Sequence, residues 1–250
     1  MLRVILSGCA GAMGRAVTAA AAEREDIKIV AGIDPGTPSE PGYPVFSELS
    51  NCNTEADVII DFSHPAALPG LLEYAGECGL PIVLATTGYS EAQVALIRER
   101  SASLPIFYTG NMSLGINLMQ ELCRIAARVL GGQFDVEIIE KHHNKKIDAP
   151  SGTALMLAES VSSQLKNPPH YEYNRHSKRE RRPSDEIGIH SVRGGTIVGV
   201  HEVIFAGQDE ILTISHTAMS KNVFAQGALS AALYMRGQAS GLYNMGDLIG

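Results

Sequence analysis

Two histidines and three lysines lie close together in segment 140–154, which reads Glu140-Lys141-His142-His143-Asn144-Lys145-Lys146-Ile147-Asp148-Ala149-Pro150-Ser151-Gly152-Thr153-Ala154. Histidine and lysine side chains can donate protons. Ser151 is placed to be the N-cap of a helix, whose first-turn N–H groups and dipole favour an anion. The segment therefore predicts proton chemistry on a negatively charged small molecule.

Three other interpretations of this segment are weaker. A metal site is disfavoured because the adjacent His142 and His143 would point to opposite faces of a strand. A lysine that forms a Schiff base suits an aldolase better than the nucleotide fold that precedes it. A solvated basic loop without a role stays open. The residues favour general acid catalysis beside a turn that binds a carboxylate, with Lys146 supplying a full positive charge.

The order of elements in the first half is typical of a dinucleotide-binding βαβ unit. An apolar strand over 2–7 is followed by a glycine loop, an alanine-rich helix over 15–24 and a second strand over 27–33 that ends in Asp34. A carboxylate at this place accepts hydrogen bonds from a ribose 2′-hydroxyl. A generic strand-to-helix turn followed by a surface aspartate is the plain alternative.

Each glycine of the loop has a physical role. Gly8 allows the tight turn, Gly11 lets a pyrophosphate approach the backbone, and Gly14 lets the helix pack closely on the sheet. The spacing is G-x-x-G-x-x-G, with Ala10 in the middle position. Taken alone, the glycine loop is weak evidence for dinucleotide binding. The order of strand, loop, helix, strand and acid makes that evidence stronger.

Further alternation of strands and helices extends this half. Strands are predicted over 57–63, 81–85 and 105–108, with helices over 65–78 and 91–101. The polar tips Asp61-Phe62-Ser63, Thr86-Thr87-Gly88 and Gly110-Asn111-Met112 follow these strands. We expect them to line one edge together with the glycine loop, because ligands of such sheets bind outside the carboxyl ends of the strands.

The second half has a different pattern. It predicts helices over 113–130 and 151–165, a strand over 134–140, antiparallel strands over 196–205 and 211–216, and a last helix over 224–235. The segment 171–186 is charged and reads either as a solvated loop or as a mobile basic flap over an acidic substrate.

We therefore expect an α/β fold with two domains. Residues 1–113, completed by 223–250, would form an N-terminal Rossmann-like dinucleotide-binding domain. Residues 114–222 would form a C-terminal α+β domain for substrate binding and oligomerisation, with a mixed or antiparallel open sheet.

Composition narrows the class of protein. The chain has 250 residues, 45% of them hydrophobic and 19% charged, as in an ordinary globular protein. A formal net charge of -7 argues against nucleic-acid and acidic-membrane partners. The sequence predicts no signal peptide, no membrane span and no metal site, and four widely spaced cysteines indicate free thiols. A cytoplasmic protein is the expectation.

Several motifs resemble the 4-hydroxy-tetrahydrodipicolinate reductase family, also called dihydrodipicolinate reductase. The block from Glu140 to Ala154 is highly specific, and the resemblance covers nearly the whole chain. The other matching pieces are Gly8-x-x-Gly11-x-Met13-Gly14, Asp61-Phe62-Ser63, Thr86-Thr87-Gly88, Asn111-Met112-Ser113-x-Gly115-x-Asn117, Ser191-Val192-Arg193-Gly194-Gly195, Gly199-Val200-His201-Glu202 and Phe224-Ala225-x-Gly227-Ala228.

The resemblance implies reduction of a cyclic dicarboxylate by hydride from NADH or NADPH, in lysine and diaminopimelate biosynthesis. It implies His142 as a catalytic proton donor or acceptor, Lys146 as a proton donor near the substrate, and a homotetramer built through the sheet of the second domain. The implied substrate-binding residues are His143, Lys146, Ser151, Gly152 and Thr153. The implied cofactor-binding residues are Gly8, Cys9, Ala10, Gly11, Ala12, Met13, Asp34, Ala85, Thr86, Thr87, Thr109, Gly110, Asn111 and Met112.

Three departures from the family pattern bear on the cofactor. Ala12 stands where some members carry an arginine that reaches a 2′-phosphate, and Pro35-Gly36 follows Asp34 where arginine is again common. A 2′-phosphate would then meet the Asp34 carboxylate with no cation beside it to balance the charge. We therefore expect NADH to be used at least as well as NADPH. Ala85 replaces a usual glycine, a small change that should leave the backbone contact intact.

Two alternative functions follow from the same residues. A catalytically silent dinucleotide-binding protein would keep the glycine loop and lose His142 or Lys146, but both are present. Another Rossmann-type dehydrogenase of amino-acid metabolism, such as one acting on a semialdehyde, would need an activated cysteine or a different lysine pair. The positions of the cysteines offer no such setting.

Overall fold

The computed structural model describes residues 1–36 and 42–249. The chain divides into two compact units, Met1–Ser113 with Lys221–Gly250, and Leu114–Ser220. Within the described residues, no helix combines the length and the apolar character needed to span a membrane.

The first unit is built on a parallel sheet. Its strands are β1 (Leu2–Ser7), β2 (Ile27–Ile33), β3 (Val45–Phe46), β4 (Val58–Asp61), β5 (Ile82–Leu84), β6 (Pro105–Tyr108) and β12 (Gly241–Tyr243). Among the described residues they form one sheet in the order β12-β6-β5-β4-β1-β2-β3. Its helices are α1 (Ala12–Ala22), α2 (Leu68–Cys78), α3 (Glu91–Arg100), α6 (Asn222–Tyr234) and α7 (Met245–Ile249).

Apolar strands explain why this sheet is covered on both faces. β4 is buried at every position, as a parallel strand between two layers of helices should be. One layer includes α1 and α6, and the other includes α2. Since all pairings are parallel, the strands end at the same edge, which carries Gly8, Asp34 and Thr86. The expected Rossmann-like α/β architecture is confirmed.

The second unit has a mixed sheet. Its strands are β7 (Asp135–His142), β8 (His170–Glu172), β9 (Glu186–Arg193), β10 (Gly199–Ala206) and β11 (Ile211–Ala218), and its helices are α4 (Leu114–Leu130) and α5 (Gly152–Ser162). The described strands are ordered β11-β10-β7-β9-β8. β7 is antiparallel to β10 and parallel to β9. α4 and α5 pack on one face through Met119, Leu157, Ile138 and Val203.

Several predicted bounds were wrong. The helix expected over 15–24 begins at Ala12, within the glycine motif, so that Gly14 lies in its first turn, and the strand expected over 134–140 continues to His142. The strand expected over 196–205 spans Gly199–Ala206. Strands β3, β8, β9 and β12 and helix α7 were not predicted, because they are short or carry polar residues that interrupt the apolar alternation.

The charged segment 171–186 is tied to the second sheet rather than free in solvent. The guanidinium of Arg175 pairs with the buried carboxylate of Glu186 at 2.6 Å. Arg182 pairs with Glu137 at 3.0 Å and with Asp135 at 2.7 Å. Arg175 and Arg182 thus neutralise acidic groups of the same unit.

Candidate active site

Strand register gathers polar side chains at one end of the second sheet. The helix-facing row through Ile138 is apolar and pairs it with Ile189 and Val203. Two residues further along β7, the residues that lie side by side across the four strands β9, β7, β10 and β11 are polar. They are Ser191, Glu140, His201 and His216. Beyond it lie Arg193 and His142, so the core of this unit ends in a titratable cluster.

Glu140 lies at the centre of this cluster. Its side chain is fully buried and accepts two hydrogen bonds from Arg193, at 2.7 Å and 2.6 Å. It also contacts Nδ1 of His142 at 2.6 Å and accepts the backbone N–H of Ser151 at 3.2 Å. A buried carboxylate with these partners is well satisfied.

The surroundings shift the pKa of both members of this pair. Burial alone would raise the pKa of Glu140, but hydrogen bonds from Arg193, His142 and Ser191 outweigh it and hold the pKa at about 2. Burial lowers the pKa of His142, and the Glu140 carboxylate partly offsets that effect. His142 therefore gives up a proton more readily than an exposed histidine, as suits a general acid.

The ring of His142 faces His201 and Gly199. The ring centroids of the two histidines are 5.2 Å apart in an edge-to-face arrangement. A Cβ added at Gly199 would lie 3.2 Å from Nε2 of His142. Burial, followed by the charge of His142, lowers the pKa of His201 to about 4. His201 is therefore neutral near pH 7.

The start of α5 is held in place by Glu140 and His201, which both contact Ser151. Ser151 is its N-cap, and the Ser151 hydroxyl accepts the N–H of Ala154 at 3.2 Å. The same hydroxyl lies 3.0 Å from Nε2 of His201. Ser151 is thus engaged inside the fold, and its predicted direct contact with substrate stays a prediction. Gly152 is exposed at the helix start, where amides suit an anion.

Two further groups of segment 140–154 flank this turn. Nζ of Lys146 pairs with Asp148 at 2.8 Å. Nδ1 of His143 is buried and has no hydrogen-bond partner among the described residues. Such an orphaned polar atom suits a bound ligand.

The glycine loop of the first unit has the geometry of a phosphate cradle. Gly8 adopts φ +77°, and a Cβ there would lie 2.5 Å from the carbonyl oxygen of Phe62. A Cβ at Gly14 would lie 2.2 Å from the carbonyl oxygen of Gly8. A cavity of about 760 Å³ lies beside this loop and is lined by Gly8, Gly11 and Asp34. The close-packed glycine backbone, the cavity and the Asp34 carboxylate together fit a bound dinucleotide.

Asp34 connects the second strand to the loop. Its carboxylate accepts the N–H of Ala10 at 2.9 Å and the N–H of Gly36 at 2.8 Å. Each carboxylate oxygen retains acceptor capacity for a ribose hydroxyl. Cys9 is buried beneath the loop, and burial raises the pKa of its thiol to about 11; its predicted contact with the cofactor stays a prediction. Ala12 and Met13 open α1.

The tips of β4 and β5 are tied together by a buried acid. Asp61 accepts the Thr86 hydroxyl at 2.7 Å and the Ser63 N–H at 3.1 Å. Ala85 is buried and Thr87 is exposed at the same tip. Asp61 was quoted only as part of a strand tip in the sequence, yet it positions a predicted cofactor residue.

The tip of β6 is held by α6. Thr109 Oγ1 is 3.4 Å from the N–H of Asn111, and Gly110 is exposed between them. A Cβ at Gly227 would lie 1.7 Å from the carbonyl oxygen of Met112. Only glycine therefore allows α6 to approach this loop.

The predicted site residues fall into two groups, one in each unit. Sequence reasoning did not assign roles to Glu140, Arg193, Gly199 or His201. Alternation along β7 carried a signal for Glu140, since residues two apart share a face. Arg193 could not be placed because β9 was not predicted. Among the described residues, no three His, Cys, Asp or Glu side chains form a group suited to a metal ion.

Family models match both halves of the chain. The description "Dihydrodipicolinate reductase, N-terminus" fits residues 2–112, and "Dihydrodipicolinate reductase, C-terminus" fits residues 115–249. A 4-hydroxy-tetrahydrodipicolinate reductase of Caldanaerobacter subterraneus subsp. tengcongensis is 51% identical over 100% of this chain and 98% of the relative. One of Clostridium tetani is 49% identical over 98% of this chain and 96% of the relative.

Solved structures agree with these matches. A dipicolinate-bound dihydrodipicolinate reductase from Paenisporosarcina sp. TG-14 superposes with a TM-score of 0.79 and 26% identity, covering 98% of this chain and 97% of that one. A myo-inositol dehydrogenase from Corynebacterium glutamicum, at 16% identity and a TM-score of 0.64, shares the fold alone. The chain belongs to the dihydrodipicolinate reductase family, whose curated members are named 4-hydroxy-tetrahydrodipicolinate reductase.

Proposed function

We propose that this protein reduces 4-hydroxy-tetrahydrodipicolinate, or its dehydrated form, to tetrahydrodipicolinate with a reduced nicotinamide dinucleotide, in lysine and diaminopimelate biosynthesis. Full-length relatives named for this activity support the proposal. The observation that carries it is the buried Glu140–His142 pair beside the N-terminus of α5, with Lys146 four residues beyond His142. A proton donor beside an anion site suits reduction of a dicarboxylate.

The second unit binds the substrate and supplies the proton. The cation of Lys146, the first-turn amides at Gly152 and Thr153, and the orphaned Nδ1 of His143 hold substrate carboxylate. His142 donates a proton to the ring once negative charge develops there. Lys146 acts as a second proton donor, and its positive charge stabilises the negative charge that develops on the ring.

The first unit binds the cofactor, which supplies a hydride when bound. The loop from Gly8 to Met13 holds its pyrophosphate, and Asp34 holds a ribose. Strand tips that Asp61 and Gly227 fix in place complete the contacts. The tip residues concerned are Ala85, Thr86, Thr87, Thr109, Gly110, Asn111 and Met112.

We propose that NADH serves at least as well as NADPH. Among the described residues that line the cavity beside Asp34, none is lysine or arginine, while Glu48, Glu73 and Glu77 add carboxylates. A 2′-phosphate entering this cavity would meet negative charge without a compensating cation.

We also propose a homotetramer that works in the cytoplasm without a metal ion. The face of the second sheet that points away from α4 and α5 includes Ile139, Val200 and Ile204, a surface that a further copy can cover. Free cysteines are consistent with a reducing compartment. Light scattering should give four times the chain mass of 26.7 kDa, and EDTA should leave turnover unchanged.

A coupled assay tests the proposed activity. The upstream synthase makes the substrate from pyruvate and aspartate semialdehyde, and this protein is added with NADH. We expect NADH loss that depends on both the synthase and this protein, and that is about 100-fold or more slower with His142→Gln. Tight NADH binding without such loss would instead favour a catalytically silent dinucleotide-binding protein.

A further inference from the structure

One carboxylate connects the proton donor to the turn that binds the substrate. Oε2 of Glu140 lies 2.6 Å from Nδ1 of His142, and Oε1 of Glu140 accepts the Ser151 N–H at 3.2 Å. Ser151 in turn begins α5. A shift of Glu140 would therefore move both the imidazole and the helix start.

Arg193 keeps this carboxylate ionised and extends the connection. Its guanidinium binds both oxygens of Glu140 and also donates to the carbonyl of Asp148 at 2.7 Å. The loop that bears Lys146 is thus anchored to the same charge pair. An ionised carboxylate can only accept hydrogen bonds, so Nδ1 of His142 must be the donor in their contact.

We propose that Glu140 is a positioning residue that fixes neutral His142 as its Nδ1–H tautomer, makes Nε2 the atom that transfers the substrate proton, and holds the start of α5 in register with it. This inference deepens the proposed function and takes its reaction from it. The hydride adds to a ring carbon, and the ring takes one proton from Nε2 of the imidazolium. His142 is left neutral with its Nδ1–H retained, Glu140 stays ionised, and solvent restores the Nε2 proton.

Gly199 provides the space that this assignment requires. A Cβ there would lie 3.2 Å from Nε2 and 3.5 Å from Cδ2 of His142. A side chain at this position would press on the proposed reacting atom. The absence of a side chain at Gly199 leaves that side of the ring clear.

Charged and titratable groups reach His142 from each neighbouring element. Glu140 on β7 favours the imidazolium, whereas Arg193 on β9 and Lys146 in the following loop disfavour it. His201 on β10 is its aromatic neighbour. Removing the charge at Glu140 and removing the charge at Arg193 should therefore change the proton affinity of His142 in opposite directions. Damage to the fold alone would not produce opposite signs.

Nitrogen-15 NMR titration of the ligand-free full chain tests this assignment. His142→Gln identifies the His142 signals. We expect the Nδ1–H tautomer when the ring is neutral, a titration midpoint lower by about one pH unit in Glu140→Gln, and a higher midpoint in Arg193→Gln. An Nε2–H tautomer, unchanged midpoints or shifts of the same sign would overturn the proposal.

A second set of variants distinguishes a loss of positioning from a loss of folding. Glu140→Asp keeps the charge and should keep the midpoint near that of the parent, while Lys146→Gln should raise it. In the reductase assay, Glu140→Gln should lower kcat at least tenfold and move the alkaline loss of kcat to lower pH, with the KM for NADH little changed. A tenfold loss of kcat with an unmoved pH profile would mark a purely structural role and contradict the assignment. Since the titration needs no turnover, an inactive parent with the expected tautomer would reject the proposed reaction and leave the positioning of His142 intact.

Discussion

Nδ1 of His142 lies 2.6 Å from Oε2 of Glu140, two residues earlier on the same face of β7. This contact places an ionised carboxylate behind a histidine that is 8% exposed. Burial lowers the pKa of the imidazole and the carboxylate partly offsets that effect, so the ring gives up its proton more readily than an exposed histidine does. The proposed chemistry depends on that balance.

Removal of either proposed donor should stop turnover without unfolding the protein. His142→Gln and Lys146→Ala should each lower kcat by roughly two orders of magnitude or more, the scale of a lost general acid. Steady-state kinetics of purified variants measures this, with thermal unfolding as the check on folding. Lys145→Ala is the matched control, because Lys145 is exposed in the same loop, and its kcat should stay near that of the parent. Parent-like turnover in both donor variants would exclude these roles.

The acid at the end of β2 should set cofactor choice. We propose that Asp34 binds the ribose hydroxyls and repels a 2′-phosphate, so NADH should give a kcat/KM at least equal to that of NADPH. Asp34→Ser should lower kcat/KM for NADH by about 10- to 150-fold and affect NADPH less, because a lost hydrogen bond to a charged group is worth about 1.5–3 kcal/mol. Comparison of both cofactors under one set of conditions decides the matter, and a strong NADPH preference in the parent would contradict this reading.

Close backbone contact at the glycine loop should make it intolerant of a single methyl group. A Cβ at Gly14 would lie 2.2 Å from the Gly8 carbonyl oxygen, so Gly14→Ala should cost about 2–3 kcal/mol or more and abolish NADH binding. Gly76→Ala is the control, because Gly76 is exposed within α2 and a Cβ there meets no atom within 4 Å. That control should add about 0.5–1 kcal/mol of stability. Denaturant unfolding and NADH fluorescence titration measure both effects, and equal behaviour of the two variants would refute the explanation.

Buried His201 should make the fold sensitive to mild acid. Its pKa is about 4 in the folded chain against an ordinary value of 6.5, so the unfolded chain binds more protons between these values. Stability should therefore fall as pH falls from 6.5 to 4, by about 3 kcal/mol at most from this residue. His201→Gln should flatten that part of the profile of Tm against pH. His142 and His216, whose pKa values are lowered by burial as well, should leave a residual slope. An identical profile in the variant would show that His201 does not contribute.

The sequence predicts the nucleotide-binding half well because its signals are local. Strands β1 and β2 have the predicted bounds, since each is a mostly apolar run flanked by polar or glycine residues. Gly8 and Gly14 were assigned to a turn and a close approach, and the backbone explains both by clashes that any Cβ would make. Gly227 was quoted only as part of a family motif, and its close approach to Met112 was not predicted because the two residues are remote in sequence.

The active-site cluster was harder to predict because its contacts are long-range. Arg193 reaches Glu140 across 53 positions of the chain, from a strand whose polar end hides the alternating pattern. His201 meets Ser151 from 50 positions away. Residue types in segment 140–154 pointed to proton chemistry and anion binding, but only strand register shows which groups lie together.

Transfer of the hydride itself is the most direct test of the account. NADH carrying deuterium at the transferred position of C4 would be supplied with substrate freshly made by the upstream synthase, and the product would be analysed by mass spectrometry. The account predicts tetrahydrodipicolinate one mass unit heavier, formed with the parent chain and formed about 100-fold or more slowly with His142→Gln. Product without deuterium, or no product while NADH remains, would contradict it.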